Sequence, residues 1–468
     1  MQNKVNCFIV SQTVAHTAQL IAQLQESTAI AKIVAISKEN CHYEGAMAVQ
    51  VENLFSAETL RIVASHAEST HVLFIMENEK IVLGNRSVER MLQVAEISAS
   101  VMLYADYFEN KDKQTTICST IDYQMGSVRN DFDFGPLQLF HVAAIAEYLE
   151  DMEESEHAAF YGLRLQASRM GKIMRLPEPL STKLISNFEE TTNSEDDLQQ
   201  RKCQIEMEQV CTNHLFYLGA KLTEDEFLPV AFEGEFPLEA TVVMPVKNAV
   251  ETIKESIDSV LGQQCDFRFN LLVIDNHSND GTSELLNSYD DDRLIVINPS
   301  SNDLGSGGCW NLAAQQEQVG RFLISLNSDE VFAHSHAIQL VVDRFYEECC
   351  GVLINAHQLR SEEQSHLQWS SESGPNNVIS SSELAQPVAY FTPIFQNIGM
   401  PNVNNAAHYS LLLAITRNYQ VGQMKNQLYR YCTKGAQVDF ASDKLLENAQ
   451  NHYKDTLRTI ELIARIRR

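Results

Sequence analysis

Short apolar runs rich in β-branched residues recur along the first third of the chain, each followed by a segment with helical spacing. Val5–Val10, Ile33–Ser37, Val72–Met76 and Val101–Tyr104 have the length and composition of buried strands, and Ala15–Leu24, Ala57–Ala67 and Val88–Val94 carry apolar positions at helical intervals. The same alternation returns after residue 240. Val242–Met244, Leu271–Ile274, Arg293–Asn298 and Phe322–Leu326 read as strands. Between the first two, Val250, Ile253, Ile257, Val260 and Leu261 share one helix face, with Asn248 as the expected N-cap and Glu251 three residues on. Strand–helix–strand repetition of this kind predicts two α/β domains built on mostly parallel sheets.

Between them the pattern breaks down. NFEETTNSEDDLQQRK is polar and acidic without an apolar period, and a helix follows with Ile205, Met207, Val210, Leu215, Leu218 and Leu222 near one face. The expected organisation is therefore an N-terminal domain over 1–185, a linker and connecting helix over 186–239, a second domain over 240–440 and an amphipathic helix over 441–468. Leu446, Ala449, Tyr453, Leu457, Ile460 and Ile463 form a stripe on that last helix, suited to packing or to a homo- or hetero-oligomeric interface. Arg465, Arg467 and Arg468 at its end suit the helix dipole.

Composition adds exclusions. A chain of 468 residues exceeds one core. Its formal net charge of −27 argues against non-specific nucleic-acid binding and against docking on anionic lipid. An acidic protein that takes a phosphorylated ligand needs a cation or aimed backbone N–H groups. Ten cysteines, isolated except for Cys349-Cys350, suit a reducing compartment better than a disulfide framework or structural zinc. The N-terminal apolar run is too short for a signal peptide, and no run of about 18 apolar residues occurs. A cytoplasmic protein without a transmembrane segment is the expectation. Ser11 and Gln12 stand where a receiver domain would carry acids, and no GxGxxG follows a strand.

Candidate chemistry lies where apolar runs end in polar residues, at the carboxyl edge of the second sheet. VVMPVKN, VIDNHSNDGT, NDLGSGGCWN and ISLNSDE fall there in succession. In that order and spacing they resemble the family-two inverting glycosyltransferases, whose motifs read VxIPxYN, VxVDDxSxDGT, NxGxxxARN and LDxDD. The likeness extends over nearly the whole chain, to two-part glycosyltransferases of Bacteroides-type bacteria. It implies two GT-A-like (nucleotide-diphospho-sugar transferase) domains. In the first, MLYADYFENKD resembles the YSDYY-like run of such domains, with Asp106, Arg129, Asp131 and Asp133 as its polar residues. Glu77 and Glu79 have the spacing of a metal pair, but the copy reads as non-catalytic.

For the second domain the resemblance implies a nucleotide-sugar site. Pro245, Lys247 and Asn248 would flank base and ribose, and Asp275, Asn276 and Asp280 would bind the nucleobase end. Gly305, Gly307 and Gly308 would bring backbone N–H groups to phosphate at a helix start, with Asn311 reaching the nucleotide. Asn327, Ser328 and Asp329 occupy the metal motif. Asn327 with Asp329 would hold a divalent cation, Mn or Mg, more weakly than two carboxylates do, and Glu330 could add a second acid. Ala407-His408 stands where the family carries its acidic base, leaving His408, with an unperturbed pKa of about 6.5, as candidate base. The implied activity is sugar transfer from a UDP- or GDP-sugar to an acceptor hydroxyl of a glycan, peptide or small molecule. The alternative is a catalytically impaired glycosyltransferase-like binding or scaffold subunit that pairs with an active enzyme.

Overall fold

The computed structural model describes residues 4–11, 14–77, 80–112, 114–151, 154–185, 194–355, 376–380, 387–424, 426–432 and 444–468. They divide into two compact units: residues 1–221 with 443–462, and residues 222–442 with 463–468.

Unit 1 runs β1 (Val5–Ser11), α1 (Val14–Glu26), β2 (Ile30–Ser37), β3 (Met47–Gln50), α2 (Ala57–His66), β4 (His71–Glu77), β5 (Lys80–Leu83), α3 (Ser87–Ser98), β6 (Met102–Ala105), β7 (Tyr107–Lys111), β8 (Gln114–Cys118), β9 (Leu137–His141), α4 (Val142–Asp151), α5 (Ala159–Met170), β10 (Ile173–Leu176), β11 (Ser181–Leu184) and α6 (Ser194–Leu218). Its main sheet has the order β3-β2-β1-β4-β9-β6-β10, with β9 antiparallel to both neighbours. Both faces are covered. Val5, Cys7 and Ile9 of β1 enter one core with Leu20 and Met91, while Phe8 and Val10 enter the other with Leu60 and Leu163. That is why β1 reads as a continuous apolar run and not as an alternation.

Unit 2 runs β12 (Ala240–Val246), α7 (Ile253–Leu261), β13 (Phe269–Asp275), α8 (Thr282–Leu286), β14 (Leu294–Ile297), α9 (Ser306–Ala314), β15 (Phe322–Ser325), β16 (Glu330–Phe332), α10 (Ala337–Glu348), β17 (Val352–Asn355), α11 (Asn377–Ser380), β18 (Pro387–Phe391), α12 (Thr392–Ile398), α13 (Ala407–Thr416), β19 (Val421–Met424) and β20 (Tyr429–Tyr431). The last helix, α14 (Lys444–Ile466), belongs over most of its length to unit 1.

The sheet of unit 2 has the order β14-β13-β12-β15-β18-β17-β19, and every pairing repeats the direction found in unit 1. The repetition reaches single residues. Helices α3 and α10 each end on a left-handed residue, Ala99 (φ 49°) and Cys349 (φ 48°). Tyr161 near the start of α5 donates to the carbonyl of Val128 at 2.5 Å, and Tyr409 near the start of α13 donates to that of Val378 at 3.2 Å. The two α/β domains expected from the sequence are thus two copies of one topology. Strands β5, β7, β8, β11, β16 and β20 form smaller sheets that the apolar pattern did not indicate. β8 explains why: four of its five residues are exposed.

Candidate functional site

The carboxyl ends of β12 and β13 carry two turns that knit together. Asn248 is not the N-cap of α7, which begins at Ile253; it sits in the left-handed region at φ 56°. Its N–H donates to Ser278 Oγ (2.9 Å), and its amide oxygen accepts from Asn279 N (2.8 Å). Asp280 accepts from Val250 N (3.1 Å), Thr282 N (3.0 Å) and Thr282 Oγ1 (2.6 Å), and that hydroxyl first of all holds its carboxyl below the usual range. Asp275, buried at the end of β13, accepts from Ser278 N (3.0 Å) and from the Ser283 hydroxyl. All three side chains are therefore engaged in holding the turns.

Asn276 differs. Its Nδ2 donates to the carbonyl of Leu304 (2.8 Å), which fixes the amide, and its Oδ1 is buried without a hydrogen-bond partner. A buried acceptor left open costs about 1–3 kcal/mol until a donor reaches it. Pro245 is half-buried beside this turn and Lys247 is exposed. His277, left-handed at φ 62°, brings its Nε2 to 3.1 Å from the Ser301 carbonyl; nothing in its sequence context marked it.

The glycine-rich start of α9 is engaged by hydrogen bonds from elsewhere in unit 2. Gly305 N donates to Asn402 Oδ1 (2.7 Å), Ser306 N to Asn404 Oδ1 (3.1 Å) and Gly307 N to the carbonyl of Val403 (3.1 Å). The N–H groups that would receive phosphate are satisfied by the chain's own PNVNN segment. A Cβ on Gly307 would lie 2.0 Å from Pro401 O, and one on Gly308 would lie 2.3 Å from Asn402 Oδ1. These glycines permit that approach. Asn311 clamps the same segment, giving Nδ2 to Met400 O and taking Met400 N, both at 2.8 Å. Gly307 and Asn311 are thus hydrogen-bonded to Val403 and Met400, and Gly308 packs against Asn402. Unit 1 covers its α2 start likewise, with Ala57 N donating to Ser155 O at 2.8 Å. Asn402 and Asn404 escaped the sequence reading; their density in PNVNN was the available signal.

The turn after β15 decides how well a cation fits. Its carbonyl oxygens are all engaged: Asn327 O with Glu330 N (3.1 Å), Ser328 O with Ser256 Oγ (3.0 Å), Asp329 O with Cys432 N (2.8 Å). Glu330 is buried and turned back onto the turn, accepting from Asn327 N (3.3 Å) and from the Asn327 side chain, and burial pushes its carboxyl up. Asp329 is left as the one accessible carboxylate, beside a neutral amide. A divalent cation wants several oxygen ligands with negative charge among them, and this donor set does not supply them. Among the described residues the three-ligand group that does come together is in unit 1: Glu156, His157 and Glu206 lie within 4.8 Å. Glu206 is already bound to His157 N (2.8 Å), Ala158 N (3.2 Å) and Ser155 Oγ (2.7 Å) at the start of α5. Glu79 lies outside the described residues, as does the side chain of Glu77.

His408 is packed, not presented. Its Nδ1 lies 2.7 Å from Tyr390 Oη, and its ring stands edge-on to Trp310 at 5.1 Å. Burial pulls its pKa down to about 4. A ring held this way is a poor base at neutral pH, so the role expected from its position is not supported by its surroundings. Trp310, 1% exposed, is core. Because the folded value lies below the unfolded one, the unfolded chain takes up the proton first; the stability is whole above about pH 6.5 and is lost as pH falls towards 4. Between pH 7 and pH 5 the loss should be roughly 2 kcal/mol. Urea denaturation at the two pH values should show His408→Phe losing less than the wild type by about that amount; equal losses would refute it.

In unit 1 the charged residues of the acidic-aromatic loop are paired, in part with residues of β10 and α14. Asp106 binds Arg175 (2.7 Å) and Thr120 Oγ1 (2.7 Å), Arg129 binds Asp131 (2.7 Å), and Asp133 accepts from Tyr107 Oη (3.0 Å).

A central, mostly parallel sheet with this strand order is a GT-A-like α/β architecture. Residues 241–410 match Glycosyl transferase family 2. An uncharacterized glycosyltransferase of Rickettsia bellii is 25% identical over 209 residues, covering 43% of this chain and 29% of the relative. The UDP-Glc:alpha-D-GlcNAc-diphosphoundecaprenol beta-1,3-glucosyltransferase WfgD of Escherichia coli is 34% identical over 92 residues, 20% of this chain and 35% of that one. The chain thus spans about a third of the length of these curated relatives. Among solved structures, S. aureus TarS in complex with UDP-GlcNAc aligns at 17% identity over 48% of this chain and 72% of its own, with a TM-score of 0.36. The mannosyltransferase PcManGT from Pyrobaculum calidifontis, in complex with GDP-Man and Mn2+, aligns at 13% identity over 57% and 85%, with a TM-score of 0.35. No described helix is long and apolar enough to cross a membrane.

Proposed function

We propose that unit 2 binds a UDP- or GDP-sugar at the carboxyl edge of its sheet and passes the sugar, with inversion, to an acceptor hydroxyl. The acceptor oxygen forms the new bond to the anomeric carbon and gives up its proton to solvent, the bond from that carbon to the phosphate oxygen breaks, and the nucleoside diphosphate leaves. The observation that carries the nucleotide part is the open, buried Oδ1 of Asn276 at the end of β13. Its amide is locked by Leu304 O, so the free group is an acceptor. Uracil N3–H and guanine N1–H are donors of the right kind; the ring nitrogens at the corresponding edges of cytosine and adenine are not. The match of residues 241–410 to Glycosyl transferase family 2 supports the transfer step.

The packing of His408 against Trp310 and Tyr390 favours a second reading, a nucleotide-sugar-binding subunit that supports a partner enzyme. A panel of UDP- and GDP-sugars with glycan, peptide and small-molecule acceptors separates the two. Release of nucleoside diphosphate that depends on an acceptor supports the transferase. Binding without turnover supports the subunit, and absence of binding refutes both. Asn276→Ala should weaken binding of UDP or GDP by about tenfold, the factor that goes with losing one buried hydrogen bond. Unchanged affinity would remove Asn276 from the site.

A further inference from the structure

Two departures from the family pattern meet at the same sheet edge, and their charges point the same way. Where the motif reads VxIPxYN this chain has VVMPVKN, so Lys247 replaces a neutral ring; where it reads LDxDD the chain has LNSDE, so Asn327 replaces a carboxylate. The edge has gained a positive group and lost a negative one. Lys247 follows directly on β12, the strand hydrogen-bonded between β13 and β15, and the 327–330 turn follows directly on β15. The Lys247 side chain is exposed, and no ion pair is recorded for it among the described residues.

A nucleoside diphosphate brings negative charge into a domain of an already acidic chain, and something must offset it. Three sources exist in principle. Backbone N–H groups at the start of α9 are engaged by Asn402, Val403 and Asn404. A divalent cation would have to rest on Asp329 alone, since the carbonyl oxygens of the turn are hydrogen-bonded and Glu330 is buried against Asn327. The third source is a fixed side-chain cation.

We propose that unit 2 offsets its ligand's diphosphate with the ammonium of Lys247, and that nucleotide binding there requires no divalent cation. A lysine can do this as a point charge, where a metal would bridge two oxygens with defined geometry. The substitutions at 247 and 327 are then one change: a fixed cation replaces a bound one, and the acid that held the bound one is dispensable. This rests on the nucleotide-site reading proposed above, and it moves Lys247 from the base and ribose, where the resemblance placed it, to the diphosphate.

The test is calorimetry of UDP and GDP binding to the full chain, in EDTA and in Mn2+ or Mg2+. The wild type should bind with the same affinity to within about twofold in all three conditions. Lys247→Met should lose about tenfold in EDTA, the size of one charge-assisted hydrogen bond, while its melting temperature stays unchanged. Lys247→Met with Asn327→Asp should regain affinity in Mn2+ but not in EDTA, because a second carboxylate and the need for a cation are restored together. Wild-type binding that tightens about tenfold with Mn2+, and loses that gain in Asp329→Ala, would overturn the inference while leaving the nucleotide site standing. Lys247→Met binding as well as wild type would also overturn it. If neither UDP nor GDP binds in any condition, the nucleotide-site reading itself fails.

Discussion

Gly307→Ala should destabilise unit 2 by about 3 kcal/mol or more, seen as a fall of roughly 6–12 °C in melting temperature. The added methyl would meet the carbonyl oxygen of Pro401 at 2.0 Å, and that oxygen belongs to backbone and cannot swing away as a side-chain tip could. The glycine's φ does not lie in the left-handed region, so the cost comes from contact alone. A phosphate-cradling glycine would behave differently: alanine there would leave the melting temperature near wild type and weaken nucleotide binding. The expected pattern is a large thermal shift, with affinity measured below the transition changing little. The opposite pattern would return α9 to the ligand.

Asp455→Ala should destabilise unit 1 by about 3–5 kcal/mol, the usual cost of removing one partner from a buried ion pair. Asp455 on α14 is fully buried, 2.7 Å from Arg458 and 3.5 Å from Arg129, and it accepts from Ser127 Oγ at 2.8 Å. The helix lies against the 124–129 loop so closely that a Cβ on Gly126 would come within 2.3 Å of Asp455 O. Gly126 N donates to Thr459 Oγ1 at 2.8 Å. Thermal unfolding together with amide exchange should show α14 and the loop losing protection together. A loss under about 1 kcal/mol would mean that the pair contributes no more than a surface salt bridge.

The stripe read from the sequence is not the face that packs: Leu446 and Ile460 are 56% and 57% exposed, while Asp455, Arg458, Glu461 and Leu462 are buried. The partner was not legible either. Nothing in the residues of α14 indicates that the loop around Gly126 receives it, because the complementary surface is polar and lies at the other end of the chain.

Strand runs such as Leu271–Ile274 were readable because both faces of the sheet are covered, so burial leaves a continuous apolar signature. β13 extends that run to Phe269–Asp275. Asn248 shows the converse. Its cap-like context was real, but cross-turn bonds to Ser278 and Asn279 placed it in a left-handed conformation, and α7 began later, at Ile253. Local propensity lost there to contacts made with a turn at the end of the neighbouring strand.

By itself the sequence determined the two α/β domains, the order of the four motifs and the family that the second domain resembles, since each depends on periodicity or local motifs. Tertiary structure alone decided which of the motif residues remain open to a ligand. Asn402 reaches Gly305 across 97 residues and closes the helix start, Glu330 folds back into its own turn, and Tyr390 and Trp310 enclose His408. A polar atom can bind a ligand only if the fold has not already satisfied it, and those satisfying contacts come largely from residues distant in the chain.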